Sequence, residues 1–107
     1  MTPTKIRNLE KRVEAKRVAL AAVGPMRPGS LTAQYRNPED KTGKYYQLSY
    51  TRLSRSRSEH VWPEHVKMMR AEIKAYQKHK KLNEELIELC IALSKAKIAL
   101  LRETDSR

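Results

Sequence analysis

Every proline and glycine of this 107-residue chain lies at or before Pro63. The 44 residues that follow contain no breaker of regular structure, and that constrains the fold more than any other feature. Pro63 suits a first helical position, and Glu64 suits the positive end of a helix dipole. The stretch therefore predicts one long helix over 63–102, about 60 Å long at the standard rise.

Its apolar face changes partway. Val66, Met69, Ile73 and Tyr76 form one stripe, but the same register then reaches Lys80 and Asn83. A second stripe begins at Leu82 and continues through Leu86, Leu89, Leu93, Ala96 and Leu100. Between them lies Gln77-Lys78-His79-Lys80-Lys81, with no apolar residue. The change of register predicts two tasks for one helix: its first half covers a small sheet, and its second half pairs with another helix.

That other helix is predicted over 3–23. Thr2 is placed to cap it, Pro3 suits its first turn, and Gly24-Pro25 stops it. Ile6, Leu9, Val13, Leu20 and Val23 follow the spacing of one buried face, interrupted at Lys16. The long helix is also apolar at Ile87, Cys90, Ile91, Ile98 and Leu101, more than one narrow stripe accounts for. This surplus predicts a homo-oligomer, with Leu82, Leu86, Leu89, Leu93 and Leu100 at the interface in a coiled-coil manner.

A small β region is expected over 31–62. Gly-Pro-Met-Arg-Pro-Gly-Ser at 24–30 forms an irregular connector. Leu31–Arg36 alternates apolar and polar, and Asn37-Pro38-Glu39-Asp40 makes a turn. Tyr45–Thr51 is the best strand, with Tyr46, Leu48 and Tyr50 on one face and Tyr45, Gln47, Ser49 and Thr51 on the other. Ser58–Trp62 returns as a β-hairpin around the tip Arg52–Arg57. The expected fold class is α+β and mostly helical, in a single domain over 1–107: a helix, a hairpin or three-stranded antiparallel sheet, and a long C-terminal helix.

Charge directs the functional reading. Lys and Arg number 23 against 12 Asp and Glu, a formal net charge of +11. Such an excess predicts a polyanionic partner, nucleic acid first. The hairpin tip carries Arg52, Arg55 and Arg57 and no acid, and the arginine fork suits phosphate. Lys41 and Lys44 precede the hairpin, Tyr45 is placed to stack on an unpaired base, and Lys78, Lys80 and Lys81 form a second basic cluster. Ser54, Ser56 and Ser58, set between the arginines, are of a type that phosphorylation modifies.

Other classes find less support. Catalysis needs a positioned nucleophile and base or paired carboxylates, and none is evident, so the chain is read as a non-enzyme without cofactor. Glu59, His60, Glu64 and His65 lie close in sequence but lack a strong metal-ligand spacing. No phosphate-cradling glycine loop is present. The charged stretch Met1–Arg17 has no apolar core of a signal peptide, and five charges in Leu82–Leu101 argue against a membrane span. Cys90 alone forms no internal disulfide, which fits a cytoplasmic setting.

Arg27-Pro28-Gly29-Ser30-Leu31, Gln34-Tyr35-Arg36, Gly43-Lys44-Tyr45-Tyr46-Gln47-Leu48-Ser49-Tyr50 and Val61-Trp62-Pro63, which opens the long helix, are short motifs of a resemblance that spans roughly residues 27–95. In these short motifs the chain resembles a domain-of-unknown-function family of small bacterial proteins found near transposases and other mobile-element genes. The resemblance implies a helix–hairpin–helix architecture, a mobile-element setting, and a place in the bacterial cytoplasm or nucleoid. The family's cysteine knuckle would fall near 37–42, here Asn-Pro-Glu-Asp-Lys-Thr, so no zinc role carries over. The expected function is a basic DNA- or RNA-binding accessory protein, linked through the resemblance to transposition or recombination. The alternative is an oligomeric structural or adaptor protein that binds another protein through its C-terminal helix.

Overall fold

A computed structural model describes residues 2–105. Helix α1 spans Pro3–Ala21. Thr2 caps it in an extended conformation, its Oγ1 accepting the Lys5 N–H at 3.2 Å. The helix ends two residues short of the expected Val23. The Ala22 N–H is shared between the carbonyls of Val18 and Ala19, a tightening common at helix ends.

Strands β1 (Ser30–Asn37), β2 (Thr42–Arg52) and β3 (Arg55–Val61) follow. They form one antiparallel sheet in the order β1-β2-β3. A 3-10 turn at Pro63–His65 leads into α2, Val66–Asp105, a single helix of 40 residues. The fold class is thus α+β, with an N-terminal helix, a three-stranded antiparallel sheet and a long C-terminal helix.

The expected single domain comprises two compact units. One contains the residues up to Val23 with those from Lys78 onward; the other is Gly24–Gln77. The division of α2 falls at Gln77/Lys78, inside the polar interval where its apolar register changes.

The sheet unit buries Leu48, Val61 and Met69, with Leu31, Tyr46, Tyr50, Val66 and Ile73 packed against them. This is the first α2 stripe laid on one sheet face, as the period-two and period-3.6 patterns together predict. Opposed residues in an antiparallel pair share a face. The pairs Leu31↔Leu48 and Tyr46↔Val61 therefore put Leu31, Tyr46, Leu48, Tyr50 and Val61 on the side that packs on α2.

The helical unit buries Leu9, Val13, Leu89 and Ala96, with Ile6, Leu86, Cys90 and Leu93 packed around them. Lys16 pairs with Glu85, while the earlier Leu9 and Val13 cluster with the later Leu89 and Ala96. Residue number falls along α1 as it rises along α2, so the two helices run antiparallel. Leu86, Leu89 and Leu93, expected at an oligomer interface, are occupied by α1 of the same chain. Leu82 and Leu100 are partly buried. Ile87, Ile91, Ile98 and Leu101 stay exposed, the surplus that periodicity anticipated.

The β2–β3 connection differs from the expected six-residue tip. Arg52 pairs directly with Arg55, leaving only Leu53 and Ser54 as the turn. Both have positive φ, 53° and 65°, as two-residue hairpin turns require. Left-handed backbone costs a non-glycine residue about 1–2 kcal/mol. Leu53 is 89% exposed, so no packing offsets that cost. Leu53→Asn with Ser54→Gly should therefore raise stability by about 1 kcal/mol, read as a Tm increase of about 4–8 °C.

Candidate nucleic-acid interface

Arg52, Arg55 and Arg57 are strand residues rather than loop residues. The pairs Arg52↔Arg55 and Tyr50↔Arg57 put all three on one face of the hairpin end. All are exposed. Directly opposed like charges destabilise a strand pair, so the Arg52–Arg55 pair is a local cost that an anion would relieve. Among the described residues, no carboxylate pairs with any of the three.

The acid nearest along β3, Glu59, is already engaged. It accepts a hydrogen bond from the Arg27 guanidinium at 2.8 Å and one from the Tyr50 hydroxyl at 3.3 Å. The bond from Arg27, opposed in part by burial, holds the Glu59 carboxyl below its ordinary range. Arg27 also lies over the Tyr50 ring, 5.2 Å from its centroid, and its N–H donates to the Glu72 carbonyl at 3.1 Å. Arg27 thus ties the connector to β2, β3 and α2 within the sheet unit. Sequence reading missed this role, because the partners are 32 and 45 positions away and only the fold brings them near.

Lys41, Lys44 and Tyr45, expected beside the hairpin, are not gathered at its tip. Lys44 sits eight residues before Arg52 on β2, about 27 Å away at the rise of an extended strand. Lys41 lies in the β1–β2 turn with φ 54°. Lys44 places its ammonium 5.3 Å from the Tyr46 ring centroid and draws the Tyr46 hydroxyl below its ordinary pKa. Tyr45 points to the face opposite Tyr46, so it shares neither a face nor an end with the arginines. Lys78, Lys80 and Lys81 are exposed and belong to the helical unit. There the hydrogen bond from Lys16, opposed in part by burial, lowers the Glu85 carboxyl, and the charges of Lys16 and Lys81 add to it.

Glu59 and His60 alternate along β3 and so face opposite ways. Among the described residues, no group of three or more His, Cys, Asp or Glu side chains is placed to hold a metal ion. His60 instead stacks on Tyr45, ring centroids 5.4 Å apart and 22° between planes. Trp62 meets His60 edge-on at 4.4 Å. These three rings share the sheet face turned away from α2.

No family model, curated protein or solved structure matches this chain. Among the described residues, no helix is long and apolar enough to cross a membrane. The functional reading therefore rests on geometry and charge.

Proposed function

We propose that the protein is a nucleic-acid-binding accessory factor whose hairpin end contacts phosphates through Arg52, Arg55 and Arg57. One observation carries this reading: three exposed guanidinium groups share one face of a tight two-residue hairpin without a carboxylate partner among the described residues. The strand pairing holds their backbone in place, which lowers the ordering cost of binding. A two-stranded ribbon fits the major groove, and the planar fork of arginine suits phosphate oxygens. The net charge of +11 adds long-range attraction, to which Lys41, Lys44, Lys78, Lys80 and Lys81 contribute. A place beside transposition or recombination machinery is part of this proposal and rests on the sequence resemblance alone.

The test is the triple variant Arg52→Ala, Arg55→Ala, Arg57→Ala against a mixed-sequence duplex and an RNA of equal length. Each lost phosphate contact should reduce the slope of log K against log salt by about 0.9 on duplex DNA, so the slope should shrink by nearly 3. Circular dichroism should stay unchanged, because all three side chains are exposed. An unaltered slope and affinity would overturn the assignment.

A second reading has its own support. Ile87, Ile91, Ile98 and Leu101 are 43, 43, 54 and 63% exposed and recur along one side of α2. An oligomer or an adaptor contact through that stripe would remove them from water. Leu89→Asp is a poor probe, because Leu89 is core. Ile91→Asp with Ile98→Asp should keep helical content and convert an oligomer to monomer in sedimentation velocity. A wild-type chain that is monomeric at micromolar concentration and loses no partner on this change would reject the reading.

A further inference from the structure

We propose that the sheet face turned away from α2 binds unpaired nucleotides of a single-stranded nucleic acid, with Tyr45 and Trp62 as base-stacking surfaces. This deepens the nucleic-acid reading and rests on it, but it uses a different surface from the arginine hairpin.

The first observation concerns rings that packing does not explain. Tyr45, His60 and Trp62 belong to neither hydrophobic core. Trp62 is 54% exposed, although tryptophan is among the side chains most favoured for burial on average. Register brings the three together. Gln47 pairs with His60 and Tyr46 with Val61, so Tyr45, His60 and Trp62 come up on the same side. Their mutual contacts hold each ring in position before any ligand arrives.

The second observation is the chemistry around them. The groove beside the rings is lined by Arg36, Gly43, Lys44 and Pro63, with no carboxylate; Arg36 supplies its cation, because the Lys44 ammonium turns to Tyr46 on the other face. Gly43, at φ 67°, has no side chain, and a Cβ there would lie 2.9 Å from that of Arg36. The stem of Arg36 lies across this glycine, which holds its cation at the same end of the sheet as the rings. Beyond the rings the face continues as Thr32, Gln34, Gln47, Ser49 and Ser58. These are neutral donors and acceptors suited to base edges, and Glu59, the acid on the strands, pairs with Leu48 and faces the other way.

Aromatic rings, neutral hydrogen-bonding groups and a rim arginine on an open sheet meet the needs of a splayed single strand. The bases stack and pair edgewise while the phosphates meet charge. Duplex bases are already stacked on one another and offer no face to such rings. An acidic peptide would use the single arginine but leave the rings unused, which favours nucleotides as the occupant.

Trp62 is the chain's one tryptophan, so its emission reports on this face directly. The full chain is titrated with oligo(dT), with oligo(rU) and with a mixed-sequence duplex, each about 12 nucleotides long, within the span of known single-strand sites. Saturable quenching of Trp62 by either single strand, and none by duplex, supports the proposal. Tyr45→Ala should weaken single-strand binding roughly tenfold, as should Trp62→Ala followed through a labelled strand, while Trp62→Phe stays within about threefold of wild type. Single strands that bind without quenching, or both alanine variants binding as wild type, overturn it. The triple arginine variant separates the two readings. Loss of duplex binding with quenching by single strands retained supports both. Duplex bound through the arginines with no single-strand quenching leaves only the hairpin reading. Single-strand quenching with duplex binding unchanged in that variant leaves only the platform. No binding of any strand removes both.

Discussion

Leu48→Ala should destabilise the sheet unit by about 2–5 kcal/mol, a large part of the roughly 5–15 kcal/mol that holds a domain folded. Leu48 is fully buried, the one large side chain among the described residues with no exposure. It forms one buried cluster with Val61 and Met69, against which Leu31, Tyr46 and Tyr50 pack. A core this small has few neighbours able to collapse into the space left by the lost carbons. Thermal unfolding followed by Trp62 fluorescence should show a Tm at least about 10 °C lower. Leu53→Ala provides the contrast: the same residue type five positions away is 89% exposed, and its loss should move Tm by no more than a degree or two. Equal effects at the two positions would show that the register of β2 is wrong.

The second large effect is expected at Gly29, where alanine should cost at least about 2 kcal/mol. Its φ of +129° is one that L side chains rarely adopt. A Cβ there would also lie 2.8 Å from the Ser49 carbonyl oxygen and 2.9 Å from Cδ1 of Leu48. The first of these is backbone in a strand and cannot swing aside. The connector therefore passes close over β2 because Gly29 has no side chain, which is a physical reason for the Pro-Gly-Ser-Leu motif. Gly24→Ala should behave oppositely. Nothing lies within 4 Å of its Cβ position, so alanine there should be neutral or stabilising by up to about 1 kcal/mol through the unfolded chain. Parallel denaturant titrations of the two variants check both signs.

Much of the architecture was legible from patterns with a local cause. Thr2, Pro3 and Gly24-Pro25 mark the ends of α1 to within two residues, because caps and breakers act on their own neighbourhood. The absence of glycine and proline after Pro63 foretold one helix, and the structure has one from Val66 to Asp105. Alternation sorted Tyr46, Leu48 and Tyr50 from Tyr45, Gln47 and Ser49. The shift of apolar register near Gln77 coincides with the division between the two compact units.

The candidate surfaces were less legible, and the reason is register. A run rich in arginine looks like a loop when read alone. It becomes two strands with a two-residue turn once β3 has β2 to pair with. Lys44 and Tyr45 lie close to the arginines in sequence but are separated from them by the length and the pleat of one strand. His60 lies beside Glu59 in sequence, in a group weighed as metal ligands, whereas alternation turns one to the open face and the other to Arg27.

What the sequence by itself determined is the set of elements, the identity of the apolar faces and the excess of positive charge. Each follows from residues within a few positions or from a sum over the chain. The tertiary structure alone decided which strands pair and in what register, which leucines α1 covers, and which rings and cations share a face. Those depend on contacts between residues tens of positions apart, and a shift of one residue in pairing would have put every side chain of a strand on the other side.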